Sequence, residues 1–272
     1  MPLLSVNGIQ MHYEYRQTEP TDSASYPVLM LSGMASDGAS WQPVVAELAT
    51  SHDMLIPDNR CTGRTLPNPV ETSRTLMVDD ILALLDALSI KRVNVLGHSM
   101  GAMMGWALAA KAPDRVNHLI SACAISHTIP ARVSLFNTLA ALRTTQNEAH
   151  WFELLYQFLF SPAFFEHPAT ASVAAAASMA YPFKQSHQSF AKQAAALETF
   201  LPAVDLSAIQ CPVSLVTGAN DLLMTPALLK SFCNKHNYDY TIIPHAGHAL
   251  HWEQAQAFVE YISNELALSQ GA

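Results

Sequence analysis

The chain has 272 residues, of which 50% are hydrophobic and 13% are charged, a composition typical of globular proteins and not of disordered ones. Its formal net charge of −8 argues against a nucleic-acid partner, because the chain has no excess of basic residues to neutralise phosphates. A chain of this length can hold one large α/β domain or two smaller ones around a substantial core.

The cysteines and the apolar runs bear on the cellular compartment. The four cysteines are widely spaced and match no metal-binding pattern, so we expect reduced thiols and no metal ion. The N-terminal segment has neither a basic start nor a long apolar run, and the sequence contains no run long enough to span a membrane. These features predict a cytoplasmic protein that acts on a small molecule, without a membrane partner. The cysteines are Cys61, Cys123, Cys211 and Cys233.

Short apolar runs alternate with amphipathic segments along the first half of the chain. Asn7-Gly8 is a strong hairpin signal and predicts two flanking strands, 2–6 and 9–16. Apolar runs of four to seven residues predict further buried strands, and apolar residues at helical spacing predict helices between them. The expected strands are 27–31, 54–57, 92–97 and 116–122, and the expected helices are 42–48, 74–89 and the stretch from the Ser99 turn to about Lys111.

This alternation stops at about Ser126 and returns after Pro202. The returning elements are a strand at 213–217, a helix at 226–234, a strand at 238–243 and a final helix at 251–266. The pattern predicts an α/β fold with a mostly parallel, doubly wound sheet that is covered on both faces. We expect residues 1–125 and 202–272 to form this core and residues 126–201 to form an inserted helical cap.

The cap is rich in aromatic residues. Ligand sites are mostly apolar, so some of these aromatic side chains are candidates for the wall of a substrate pocket. We predict this role for Trp151, Phe152 and Tyr156. The alternative is that they only hold the insertion together.

The segment Gly97-His98-Ser99-Met100-Gly101 carries the strongest functional signal. A β-branched apolar run precedes it and a helix-forming stretch follows it, which is the strand–turn–helix context of a nucleophile elbow. Ser99 is therefore the predicted nucleophile; the alternative is an ordinary turn residue.

A serine nucleophile needs a base and an orienting acid, and both are sought at the carboxyl ends of parallel strands. Asp221 is the only carboxylate that directly follows strand 213–217, and His248 follows strand 238–243. The order Ser99, Asp221, His248 is the order expected of an α/β-hydrolase.

Each of these two assignments has an alternative. His245 and His251 compete with His248 for the role of base, with His245 second. The side chain of His98 is expected to point away from the serine, either packed in the core or supporting the residues of the site. Asp221 is alternatively a plain turn residue or helix cap. Segment 121–124 contains no competing carboxylate.

Two backbone amides are needed to bind an oxyanion. One is expected to be that of Met100, directly after the nucleophile, and the other that of Met34, at the turn after strand 27–31. Their side chains are candidates for pocket wall or for ordinary core.

Three further stretches resemble motifs of the serine hydrolases with the α/β-hydrolase fold. Residues 58–65 resemble an Asp-x-Arg-Gly-x-Gly-x-Ser loop, Gly218 to Asp221 with Pro226 resembles Gly-x-x-Asp…Pro, and Gly247-His248 with Glu253 resembles Gly-His…Glu. The resemblance covers nearly the whole chain outside the cap. Within the family, the aromatic segment 151–160 is similar in character to 3-oxoadipate enol-lactonases and aminoacrylate hydrolases.

The chain departs from the family pattern at three positions. Ser32 stands where many members have histidine, which leaves the oxyanion-hole amide but removes a residue expected to support its loop. Cys61 replaces a glycine and Thr65 replaces a serine in the loop 58–65. We expect the Cys61 thiol to be partly buried and inert, and the alternative is a reactive thiol.

The resemblance implies a cofactor-independent serine hydrolase that cleaves a small carboxylic ester or lactone through an acyl-enzyme. A thioesterase, an acyltransferase or a C–C hydrolase would use the same triad, and a non-catalytic ligand receptor would keep the fold alone. The similar subfamilies act on carboxylate-bearing molecules, which implies a cation in the pocket. Arg132 and Arg143 of the cap are preferred over Lys184 and Lys192, because arginine binds carboxylates through two parallel hydrogen bonds. The alternative, which is favoured for any single one of the four, is a solvated surface charge.

Overall fold

The computed structural model describes residues 2–18, 26–144 and 147–270. A single eight-stranded sheet forms the centre, and it is antiparallel at one edge and parallel elsewhere, as the sequence predicts. Its strands are β1 (Leu3–Val6), β2 (Ile9–Arg16), β3 (Val28–Leu31), β4 (Met54–Pro57), β5 (Val93–His98), β6 (Val116–Ala122), β7 (Val213–Gly218) and β8 (Tyr240–Ile243). Their order in the sheet is β1-β2-β4-β3-β5-β6-β7-β8.

Helices cover both faces of this sheet. The helices are α1 (Gln42–Leu48), α2 (Arg74–Ala87), α3 (Met100–Lys111), α4 (Pro130–Leu142), α5 (Glu148–Leu159), α6 (Thr170–Ala180), α7 (His187–Ala196), α8 (Pro226–His236), α9 (Leu250–Glu253) and α10 (Ala255–Gln270). Helix α1 packs against α10, and α2 packs against α3, which also contacts β5 and β6.

Local sequence explains how several of these elements begin. Asn7 and Gly8 both have positive φ, 42° and 79°, which is the geometry of a tight two-residue hairpin between β1 and β2. The Ser73 side chain accepts a hydrogen bond from the Leu76 amide and caps α2. Strands β3, β4 and β5 are buried along their whole length, and this explains their continuous apolar sequence.

The C-terminal part differs from the expected elements in two places. Strand β8 starts at Tyr240 rather than at position 238, because Asn237 adopts a left-handed conformation that ends α8. The expected single helix 251–266 is two helices, since Gln254 leaves the helical region at φ −133°. The short helix α9 consequently ends at Glu253.

Between β6 and β7 the described residues form only helices and turns, among them α4 to α7. A second hydrophobic core lies inside this segment, with Trp151 and Phe190 fully buried at its centre. Glutamine side chains join the segment to the main core: Gln185 Nε2 donates to the Cys61 carbonyl at 2.9 Å, and Gln193 Nε2 donates to the Arg60 carbonyl at 3.0 Å. Within the described ranges, no helix has the length and apolarity needed to cross a bilayer.

Candidate active site

Ser99 lies on the sharp turn between β5 and α3. Its backbone is at φ 54°, ψ −119°, a conformation that costs energy in a residue with a Cβ atom. A Cβ atom on Gly97 would lie 2.4 Å from Ala102 Cα. A Cβ atom on Gly101 would lie 2.0 Å from the Leu31 carbonyl oxygen. Both glycines are therefore required for strand and helix to approach this closely.

The structure brings Ser99, His248 and Asp221 into one hydrogen-bonded chain. His248 Nε2 lies 2.8 Å from Ser99 Oγ, and His248 Nδ1 lies 2.9 Å from Asp221 Oδ2. Because a carboxylate only accepts, Nδ1 carries the proton and donates it to Asp221. Nε2 is then free to accept the hydroxyl proton of Ser99, which is the arrangement a general base requires.

Asp221 is almost fully buried and receives several donors besides His248. The amides of Leu223 and Met224 donate to Oδ1 at 2.7 and 2.8 Å, and Thr217 Oγ1 donates to Oδ2 at 2.9 Å. Burial alone would raise the pKa of Asp221, but the charge of His248 and these hydrogen bonds hold this pKa below its usual value. Asp221 is consequently ionised at neutral pH.

Of the three histidines near the end of β8, the structure places His248 against Ser99. His245 is exposed, and its backbone φ is 59°. His251 is buried in α9, where its ring lies 4.6 Å from the ring of His98, centroid to centroid. Neither side chain forms a hydrogen bond to Ser99 in the described structure.

His98, which precedes the serine, points away from its hydroxyl. Its Nε2 lies 2.8 Å from the backbone carbonyl oxygen of His248. Burial, and then the charge of His248, lower the pKa of His98 to about 3. The ring is therefore neutral and donates a hydrogen bond from Nε2 to that carbonyl.

The two residues whose amides are expected to bind an oxyanion lie near Ser99. Met34, Met100 and Ser99 line the same cavity. A Cβ atom on Gly33 would lie 3.2 Å from Ser99 Cβ, so the turn at Met34 is close to the serine. Met100 is the first residue of α3, and its N–H has no acceptor within the helix. The Met34 amide donates to no protein group among the residues described.

Ser32 supports the turn that carries Met34. Its hydroxyl donates to the Asp37 carbonyl at 2.9 Å, and its own carbonyl accepts a hydrogen bond from Asn59 Nδ2 at 3.0 Å. The loop therefore keeps supporting hydrogen bonds although the histidine of many family members is absent.

The loop 58–65 accommodates both of its departures from the family pattern. Cys61 is buried with φ 68°, and its thiol donates to the Val70 carbonyl at 3.1 Å. Burial raises the pKa of this thiol, which makes it unreactive. The Thr65 hydroxyl donates to the Asp58 carbonyl at 2.6 Å.

A cavity of about 50 Å³ opens beside Ser99 and is lined mainly by apolar side chains. Four methionines contribute to its wall, so the predicted role of the Met34 and Met100 side chains as pocket wall agrees with this lining. The lining residues are Met34, Ser99, Met100, Met103, Cys123, Ala124, Ile125, His127, Thr128, Ile129, Arg132, Phe136, Leu197, Leu223, Met224, Leu228 and His248.

Arg132 supplies the cationic group of this lining. Its Nε donates to the Leu223 carbonyl at 2.8 Å, and its Nη2 donates to the Leu222 carbonyl at 2.9 Å. These two hydrogen bonds fix the orientation of the guanidinium, and Nη1 takes part in neither of them. Arg132 thus places a positive charge at the cavity that contains Ser99.

The three aromatic residues selected from the cap lie elsewhere. Trp151 Nε1 donates to the Leu139 carbonyl at 2.8 Å, and the hydroxyl of Tyr156 lies 2.6 Å from Ser178 Oγ. Phe152 packs between their rings. All three belong to the core of the cap, so the structure supports the alternative that they hold the insertion together.

Arg143 also lies outside the cavity lining. Its guanidinium stacks over the ring of Trp151 at 4.2 Å and donates to the Gln185 carbonyl at 2.6 Å. It also pairs with Glu148 at 3.4 Å. The Arg143 guanidinium therefore packs on aromatic rings inside the cap and does not line the cavity that contains Ser99.

Part of the cavity wall is a segment that is absent from the site residues predicted from the sequence. Ile125, His127 and Thr128 follow directly after β6. The rule that led to Asp221 and His248, that functional groups gather at the carboxyl ends of parallel strands, applies to β6 as well. Phe136, on α4, is the aromatic residue that the cap contributes.

His98, Cys123 and His248 form a group of potential metal ligands in the described structure, with ligand atoms within 4.8 Å of one another. These atoms already have protein partners. His98 Nε2 and Cys123 Sγ both bond the His248 carbonyl, and both nitrogens of His248 belong to the chain from Asp221 to Ser99. A metal ion would have to displace these bonds, so the geometry favours a hydrogen-bonded cluster.

The strand–turn–helix carrying Ser99, the mostly parallel sheet and the helices on both of its faces define a hydrolase of the α/β type. Comparison with known proteins agrees: the chain matches the alpha/beta hydrolase fold family over residues 26–255. The chain belongs to this family, which confirms the predicted fold and family.

Relatives and solved structures extend this comparison. A protein of Caulobacter sp. (strain K31) named "Putative carbamate hydrolase RutD" is 29% identical over 244 residues, which cover 88% of this chain and 90% of that protein. The enol-lactonase from Burkholderia xenovorans LB400 has a TM-score of 0.82 at 22% identity and covers 98% of this chain and 100% of its own. A thermophilic esterase from Thermogutta terrifontis has a TM-score of 0.83 at 22% identity and covers 98% and 97%. At these identities, the two structures establish the shared fold.

Proposed function

We propose that the protein is a serine hydrolase that cleaves a small carboxylic ester or lactone through an acyl-enzyme. The observation that carries this proposal is the 2.8 Å contact between His248 Nε2 and Ser99 Oγ, with Asp221 on the other ring nitrogen. A serine hydroxyl is a weak nucleophile until a neighbouring base accepts its proton. This arrangement supplies such a base.

In the acylation step, Ser99 Oγ attacks the substrate carbonyl carbon while its proton passes to His248 Nε2. The carbonyl oxygen becomes an oxyanion, which the amides of Met34 and Met100 bind. The buried, ionised carboxylate of Asp221 stabilises the imidazolium that forms. The oxyanion then collapses, the bond to the leaving-group oxygen breaks, and His248 delivers its proton to that oxygen.

Water completes the reaction. His248 accepts a proton from a water molecule, whose oxygen attacks the acyl carbon. The bond from that carbon to Ser99 Oγ breaks, and the proton returns to the serine. These steps use side chains of this chain and water alone.

The cavity supports a small substrate. Its volume of about 50 Å³ and its apolar wall suit a short acyl group. Arg132 at this wall favours a substrate that carries a carboxylate, since an unpaired buried carboxylate is costly. The fold shared with an enol-lactonase is consistent with an anionic lactone.

A carbamate is a second candidate substrate class, because the relatives at 26–31% identity carry the name carbamate hydrolase. Its carbonyl carbon would be attacked by the same serine. A thioesterase, acyltransferase or C–C hydrolase would also use this triad. The four buried free cysteines support a cytoplasmic location for the reaction.

A fluorophosphonate probe tests the proposal, because it labels only activated serines. We expect rapid labelling of the wild-type protein at Ser99, located by peptide mass spectrometry, and none in Ser99→Ala. Turnover is then measured with matched esters, lactones, carbamates and thioesters. Absence of labelling and of turnover in the folded protein would favour a ligand receptor and contradict the proposal.

A further inference from the structure

Glu253, the last residue of α9, directs its carboxylate toward the loop that carries His248. Its Oε2 accepts a hydrogen bond from the Gly247 amide at 2.6 Å. Its Oε1 accepts hydrogen bonds from the Ser161 amide at 3.0 Å and from Ser161 Oγ at 2.6 Å. Ser161 is fully buried and follows α5 of the cap. One carboxylate therefore joins the residue before His248 to the cap.

The residue after His248 is joined to the same part of the cap. The Ala249 amide donates to the Leu159 carbonyl at 2.8 Å. A Cβ atom on Gly247 would lie 2.8 Å from both the Leu159 carbonyl oxygen and the Ser161 amide nitrogen. The backbone on both sides of His248 thus lies in direct contact with segment 159–161.

Two side chains of the core bind the backbone carbonyl of His248. Its carbonyl accepts hydrogen bonds from His98 Nε2 at 2.8 Å and from Cys123 Sγ at 3.3 Å. These contacts restrain the peptide that follows His248. In the peptide between Ala246 and Gly247, the Ala246 carbonyl accepts a hydrogen bond from the Asn220 amide at 2.8 Å, and Glu253 is the acceptor of the Gly247 N–H. Hydrogen bonds to a charged acceptor are stronger than those between neutral groups, and a buried amide that loses its acceptor is destabilised.

We propose that Glu253 is a positioning residue for His248: its carboxylate fixes the Gly247 amide and thereby the geometry of the base. This inference rests on the proposed function, in which His248 is the base. A misplacement of a catalytic group by about 1 Å can lower the rate about 100-fold. Among the described residues, the Glu253 carboxylate forms hydrogen bonds to Gly247 and Ser161 and does not line the cavity, so its effect on His248 passes through the backbone.

Three variants separate positioning from stability. Glu253→Ala removes the acceptor of the Gly247 amide. Glu253→Gln keeps its shape but turns an NH₂ group toward one of the N–H donors. Ser161→Ala breaks one bond to the cap and leaves the bond between Glu253 and Gly247. Glu260→Gln, at an exposed position of α10, is the matched control for loss of charge.

The measurements are kcat, KM, the rate of fluorophosphonate labelling and the downfield proton resonance of the His248 Nδ1–H. At a temperature where all variants are folded, we expect Glu253→Ala to lower kcat and the labelling rate about 10- to 100-fold. We expect KM to change little, the downfield resonance to shift or broaden, and Glu253→Gln to lie between wild type and Ala. Ser161→Ala and Glu260→Gln are expected to keep the wild-type rate and resonance.

Wild-type rates and resonance in both Glu253 variants overturn the inference, as does a loss in Ser161→Ala equal to that in Glu253→Ala. If Glu253→Ala does not fold, the Gln variant decides, since full activity in it contradicts the positioning role. A wild-type protein that takes no label contradicts the proposed function instead, so the two failures are distinguishable.

Discussion

The ring of His98 donates a hydrogen bond to the backbone carbonyl of His248, with Nε2 and O 2.8 Å apart. One residue precedes the proposed nucleophile and the other is its proposed base. The bond joins the turn after β5 to the loop after β8, and it requires a neutral His98 with its proton on Nε2. The His98 side chain, expected to be packed or to support the residues of the site, therefore links two functional loops.

The buried neutral histidines predict how stability depends on pH. Burial lowers the pKa of His98 to about 3 and lowers the pKa of His251 well below its usual value. In the unfolded chain both rings would bind protons below about pH 6.5. The unfolded state then holds more protons than the folded state, so the free energy of unfolding falls as the pH drops from about 6.5 toward 3.

Urea titrations between pH 5 and 7 measure this dependence. Each such histidine contributes a slope of at most about 1.4 kcal/mol per pH unit. We expect His251→Phe, which keeps a ring against His98, to reduce the slope, whereas His245→Asn at an exposed position should retain it. A wild-type free energy of unfolding that rises on acidification in this range contradicts the prediction.

Replacing the proposed nucleophile, Ser99, or its proposed orienting acid, Asp221, should abolish activity without unfolding the protein. We expect Ser99→Ala to lower kcat about 10⁶-fold. Asp221→Asn should lower it about 10⁴-fold, through loss of the correct His248 tautomer and of imidazolium stabilisation. Steady-state kinetics on the best substrate measure both changes, with circular dichroism to verify folding. If the Ser99→Ala variant keeps activity close to that of the wild type, Ser99 is not the nucleophile.

The identity of the base is tested by comparing neighbouring histidines. His248→Ala should reduce kcat nearly as much as Ser99→Ala, because the two residues act as a unit. His245→Ala should leave kcat nearly unchanged, since its side chain is exposed and forms no hydrogen bond to the serine among the described contacts. Comparable losses in the two alanine variants would make the assignment of His248 untenable.

Local signals in the sequence are sufficient to predict the strands of the sheet and the residues that lie around Ser99. The strands β3 to β7 are short apolar runs next to turn residues, and the constraint that parallel strands expose their carboxyl ends together leads to Asp221 and His248. Such constraints involve only residues close to the end of each strand. They therefore do not depend on how the cap packs on the sheet.

The cap lacks a comparable constraint. Spacing along its helices indicates which residues are buried, but not whether they are buried against the cap itself or against a ligand. Trp151 and Arg143 illustrate this, because the guanidinium of Arg143 stacks on the ring of Trp151 inside the cap. Arg132 differs only in position: it lies in the first turn of α4, directly beyond the β6 loop. That distinction depends on tertiary packing.

Arg132 should determine the preference for anionic substrates. Its guanidinium lies at the cavity wall, held by the carbonyls of Leu222 and Leu223. If it pairs with a substrate carboxylate, Arg132→Met should raise KM for an anionic lactone and leave KM for a neutral ester of similar size nearly unchanged. The expected cost is about 1.5–3 kcal/mol, the usual value for a hydrogen bond to a charged group.

Arg143→Met is the matched control, because it removes the same charge from a cap arginine outside the cavity lining. We expect this variant to lower the melting temperature, through loss of the contact with Trp151 and of the bond to Gln185, and to leave both KM values unchanged. Steady-state kinetics on the two substrates, at a temperature where both variants are folded, make the comparison. Equal changes for the anionic and the neutral substrate in Arg132→Met would remove the charge-recognition role and leave the serine-hydrolase proposal intact, because Ser99, His248 and Asp221 do not depend on this side chain.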